Sequence, residues 1–282
     1  MEPMTTVTRN KILAFSLFVL ISLVRPPIRA QYRGVETTIW TGQSGGYRWR
    51  WTTQDLTATD SRTSRHVFSA AERKTRENKE IIDDPDCRWA SFKIQPLAVV
   101  GGIAVYQSED LVDLGGAHPT GGSDIVVVDP ARPGHTILLT DLFPDADILR
   151  ALLADRVVQK GLKVGTPSPH TLPELMQALS GQDIDGDPDF PFEPQMLARF
   201  AFHHLENGKV AVRLFVFGHS EAGRNLSTQL GLLLPIPAKL ATSLARAANG
   251  RAGFLMANSK KLAHGRTTEI YRKEEKRKEE KP

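Results

Sequence analysis

The chain has 282 residues, 40% of them hydrophobic and 24% charged, which are the proportions of a soluble globular protein with one substantial core. Its formal charge of +4 resides at the ends: residues 1–30 carry +3 and residues 272–282 carry +2, which leaves −1 for the middle. Nucleic-acid readers concentrate basic side chains on one face, because counterion release dominates their affinity, so nucleic acid is not expected as a partner.

Arg9 and Lys11 precede the apolar run Ile12 to Val24, and the small residue Ala30 closes the segment before Gln31. This is the layout of a secretory signal, so residues 1–30 are expected to direct export to the periplasm or beyond the cell. Thirteen apolar residues reach about 20 Å as a helix, short of the roughly 30 Å of a bilayer core, so the segment touches the membrane only if it stays uncleaved. Cys87 is the only cysteine, and a buried small side chain is its expected role.

Residues 31–89 read as an N-terminal extension. Trp40, Trp49 and Trp51 gather around Gly45-Gly46, and the alternation YRWRW suits either an edge strand or a sugar-stacking platform. Residues 68–82 follow as a polar helix opened by Ser69, with Glu72 as capping-box partner. Residues 90–249 form the main domain. Strands are expected at 98–105, 124–128 and 136–139, and helices from 148 to 160 and from Thr171 to Gly181. A hairpin joins 200–205 to 209–217 through Asn207-Gly208, whose left-handed angles a tight turn requires. A last strand over 229–234 and a closing helix over 238–248 complete an α+β fold, with a mainly antiparallel sheet packed by two or three helices. Residues 250–282 read as a charged, largely disordered tail.

The loop GGAHPT, Gly115 to Thr120, precedes a strand and then LLTDLFPD, Leu138 to Asp145. These two motifs, in this order, resemble the RsiV-type domain over about residues 90 to 245. That family appears as the extracellular part of a lysozyme-sensing anti-sigma factor and beside peptidoglycan deacetylases. The resemblance implies a non-catalytic binding module of the cell envelope, with a lysozyme-like protein or peptidoglycan glycan as ligand. Anti-sigma activity is not expected, because only eleven residues precede the apolar run, and GHSEAGRNLST replaces the family's more aromatic segment before the last strand. The candidate binding residues are Gly115, Gly116, His118, Pro119 and Thr120: the glycines admit unusual backbone angles and Pro119 fixes the chain after His118. A rigid tip of this kind loses little entropy on binding. The same residues also suit a plain turn.

Two other readings are open. VRLFVFGHSEAG suggests a strand entering a nucleophile elbow at Ser220, as in a secreted serine hydrolase, although Gly223 is one place late and Glu221 is the only carboxylate between Ser220 and His264. An envelope scaffold using its tryptophans and charged tail is the other. Asp183, Asp185, Asp187 and Asp189 lack EF-hand spacing and read as a solvated turn. His203-His204 in a strand would send its rings to opposite faces. No HExxH, CxxC or phosphate-binding glycine loop is present, so no metal or cofactor is expected.

Overall fold

The computed structural model describes residues 35–162, 168–184, 186–220 and 226–273. The expected signal segment therefore lies outside the described residues. The fold is α+β and dominated by antiparallel sheet. An N-terminal meander runs β1 (Thr38–Ser44), β2 (Tyr47–Thr52), β3 (Leu56–Asp60) and β4 (His66–Ser69), each strand beside the next. Helices α1 (Ala70–Glu77) and α2 (Lys79–Asp83) lead into a second sheet ordered β13-β5-β6-β7, made of β5 (Trp89–Val100), β6 (Ile103–Asp113), β7 (Thr120–Val128) and β13 (Thr268–Lys273). Then come α3 (Asp145–Ala154), α4 (Arg156–Gly161), α5 (Leu172–Leu179) and the small ribbon β8 (Asp183–Ile184) and β9 (Asp187–Pro191). A third sheet, β10 (Phe200–Glu206), β11 (Lys209–Phe217) and β12 (Ser227–Pro235), precedes α6 (Ala238–Ala248) and α7 (Met256–Ala263).

The second sheet separates two cores, and its alternation shows how. Ala90, Phe92, Ile94 and Val99 of β5, with Ala104 and Tyr106 of β6, pack with the tryptophans of the meander and with Phe254, Ile270 and Tyr271. Val100, Ile103, Val105, Ile125 and Val127 turn the other way, onto β10–β12 and onto α3, α5 and α6. A sheet buried on both faces needs apolar side chains at successive positions, and the run at 97–100 supplies them.

Several expectations are corrected here. The apolar run 98–105 is two strands, because Gly101, at φ +61, and Gly102 turn the chain in its middle. That turn meets the β1–β2 turn so closely that a Cβ on Gly45 would stand 2.1 Å from the Gly102 nitrogen. Residues 136–139 are not a strand; Leu139–Asp141 is a single 3-10 turn. The helix expected over 148–160, with Asp145 and Asp147 opening it, does start at Asp145 but breaks at Asp155, which leaves helical geometry and accepts the Val157 and Val158 N–H groups at 2.8 and 3.3 Å, capping α4. The helix over 68–82 is likewise two helices, divided at Asn78.

Strand β2 lies between β1 and β3 rather than at an edge, and Trp40, Trp49 and Trp51 are 8, 0 and 1% exposed. The stacking platform, and a scaffold that makes contacts through its tryptophans, are thereby overturned: the indoles are core. Phe254 stacks on Trp51 at 5.6 Å between ring centres and meets Trp40 edge-on at 4.9 Å. The Trp51 indole N–H donates to Thr268 Oγ1 at 2.7 Å. Much of the expected tail is thus folded: α7 and β13 lie within 250–273, and β13 pairs with β5. Cys87 is buried, as expected.

Other elements stand where the sequence placed them. Ser69 Oγ caps α1 by accepting the Glu72 N–H at 2.9 Å, and Thr171 Oγ1 caps α5 through Glu174 N–H at 3.3 Å. Asn207 and Gly208 take φ of 47° and 74° between β10 and β11, and α6 follows Pro237 over Ala238–Ala248.

Candidate functional site

The hairpin of β6 and β7 ends in a six-residue tip, Leu114 to Pro119. Every residue from Leu114 to Thr120 is exposed, which brings Gly115, Gly116, His118, Pro119 and Thr120 together on one projection. Its base is built closely. Gly115 takes φ +83 and donates its N–H to Asp113 Oδ1 at 2.7 Å, while the Arg88 N–H donates to Asp113 O at 2.8 Å. Across the hairpin, a Cβ on Gly121 would lie 2.4 Å from Asp110 O, so the glycine permits β7 to approach β6 here. Leu111 and Leu114 stand beside the tip at 40 and 48% exposure. The surface is therefore apolar with one imidazole, on a hairpin whose other half is held between both cores.

β7 is an edge strand. Beside its second half runs an open groove of about 800 Å³, walled by β4, α1, the loop over 129–137 and the 3-10 turn Pro194–Ala198. The cations in this groove are largely neutralised. Arg199 Nε lies 2.9 Å from Asp124 Oδ1 and its Nη1 3.3 Å from Glu193 Oε2. Arg73 reaches Glu77 at 2.6 Å and Arg132 reaches Asp129 at 3.1 Å. Walls so paired do not form a basic cleft for a polyanion. The sequence reading missed this groove, because no short motif marks the place where three distant segments meet.

Ser220 is held against Asp189. Its backbone N–H donates to the Asp189 carboxylate, and that bond, together with the serine hydroxyl and the His219 N–H, holds Asp189 below the usual carboxylate range. The neighbouring imidazole is committed elsewhere, with His219 Nε2 2.8 Å from Glu193 Oε1. His264 is the exposed, left-handed C-cap of α7. The aspartates of 183–189 serve the β8–β9 turn, with Asp189 holding Ser220; Asp185 lies outside the described residues.

His203 and His204 correct the sequence reading most directly. The register of β10 against β11 slips between Phe202 and His204, so that Phe202 opposes Val212 but His204 opposes Ala211. This bulge changes the parity of the strand. Phe200 and Phe202 pack into the core before it and Leu205 packs against that core after it, while both histidines remain half-buried beside one another. Their Nδ1 atoms lie 2.7 Å apart. Burial, with Arg213 and His204 nearby, holds His203 below the ordinary histidine range. The inward sequence Phe200, Phe202, Leu205 was the available signal, since even spacing cannot place all three on one face.

Comparison of the chain with protein-family models, curated proteins and solved structures finds no match. The likeness to the RsiV-type domain thus rests on its two motifs. The first is the exposed tip. The second belongs to the core: Leu139, Leu142 and Phe143 are buried, and the Asp141 carboxylate accepts the Leu138 N–H at 2.9 Å ahead of α3.

Proposed function

We propose that this chain is an exported, non-catalytic binding domain of the cell envelope, and that it recognises its ligand through the tip Leu114 to Thr120. The observation that carries the reading is the tip itself: a continuous exposed run closed at its base by Asp113 and Gly121. Such a projection can enter a cleft with little loss of conformational freedom. The ligand class is a lysozyme-like protein or peptidoglycan glycan. Exposed Leu111 and Leu114 favour the protein, because clustered apolar side chains on a monomer mark contact surfaces. The commitments of Asp189 and His219 speak against hydrolysis at Ser220.

The test is calorimetric titration with a lysozyme and with soluble peptidoglycan fragments. Saturable binding to one of them is expected, weakened at least tenfold by His118→Ala and by Gly116→Val and unaffected by Ser220→Ala. Binding indifferent to both tip variants, or none to either ligand, overturns the proposal.

A further inference from the structure

We infer that His203 and His204 form a two-imidazole site for a transition-metal ion of square-planar preference, Cu(II) or Ni(II), on the outer face of β10. The bulge sends both rings to one side, and their Nδ1 atoms converge to 2.7 Å. At that separation the two nitrogens cannot both carry a proton. The position between them holds either one proton, as a hydrogen bond, or one metal ion. The distance selects the geometry. A metal about 2.0 Å from each nitrogen subtends about 85° between them, close to the right angle of adjacent square-planar ligands, whereas tetrahedral zinc requires nitrogens about 3.3 Å apart.

A second observation concerns the far side of one ring. His204 Nε2 lies 3.4 Å from Glu206 Oε2, two residues along the same strand. Metal-bound histidines generally present their other N–H to a carboxylate, which fixes the tautomer and the ring plane. When the ion binds, the imidazole that held its proton on Nδ1 gives that proton to solvent and takes one up from solvent on Nε2, so both rings stay neutral with no net proton release, and the two Nδ1 atoms replace two waters of the hydrated ion. Glu206 then accepts from His204, and solvent fills the remaining positions. Among the described residues no cluster of three or more His, Cys, Asp or Glu side chains converges on a metal, so the described residues contribute these two rings alone. Arg213, on the facing strand, opposes a cation here and Glu206 offsets it.

The experiment is titration of the full chain with copper(II) chloride, followed by calorimetry and by electron paramagnetic resonance. One saturable ion per chain with coupling to two imidazole nitrogens is expected. His203→Ala and His204→Ala should each raise Kd at least tenfold, with His264→Ala as the unaffected control. His204→Gln, which retains a hydrogen-bonding partner for His203 but removes the second imidazole, should lose the same affinity and keeps the question answerable if an alanine variant unfolds. Copper binding that survives in folded His204→Gln, or the absence of a two-nitrogen signal in the parent chain, overturns the inference.

Discussion

Phe254 lies between Trp40 and Trp51 and is fully buried, while its backbone exchanges hydrogen bonds with Val99 at 2.9 and 3.0 Å. Truncating such a ring leaves a cavity that the large indoles cannot collapse into, so Phe254→Ala should cost about 3–5 kcal/mol, read by urea unfolding. Asp55 is a polar counterpart. Its Oδ1 accepts the Leu56 and Ala71 N–H groups at 2.7 and 2.9 Å, and its Oδ2 accepts the Ser69 hydroxyl at 2.6 Å. Burial nevertheless raises its pKa, outweighing those donors. Asp55→Ala would orphan all three and should cost on the order of 2 kcal/mol. For a carboxyl raised in the folded state, its contribution is fully present below the unfolded value of about 3.9 and lost as pH rises through the folded value. Asp55→Asn should flatten that stretch of the stability profile, and a slope unchanged from the parent would contradict the assignment. The alternation of Trp49 and Trp51 showed that they share a face; which face is buried depends on Phe254 and Thr268, more than 200 positions away.

Elements were legible where local chemistry fixes them. Asn207-Gly208 can scarcely be anything but a turn between its strands, and Pro237 with the apolar stripe Leu240, Leu244 and Ala247 sets α6. Strand β13 was illegible for the opposite reason: TEIYRK is short and half charged, and it becomes a strand only because β5 lies beside it. This gives a direct test at the same scale. Ending the chain after Gly250 removes Phe254, α7 and β13, uncovers the Trp51 indole N–H and leaves a 12-residue strand with a bare edge. The truncated chain should fail to unfold cooperatively in a thermal melt. A sharp transition near that of the parent would show that the segment is dispensable.

The described residues form three larger antiparallel sheets and the β8–β9 ribbon around two cores, and the tip projects from the one sheet that both cores share. The antiparallel α+β class was readable from the hairpin and from short, turn-bounded apolar runs, but the layering was not, because it follows from pairings between distant segments. The proposed export predicts a mature form that begins at or near Gln31 by N-terminal sequencing, and an intact Met1 or Met4 terminus on the exported protein would contradict it. The tip as recognition surface is tested most directly by hydrogen–deuterium exchange of the full chain with and without a lysozyme. Protection should appear over Leu111 to Val128 and leave β1–β3 unchanged. No protection, or protection confined to β1–β3, would contradict the account.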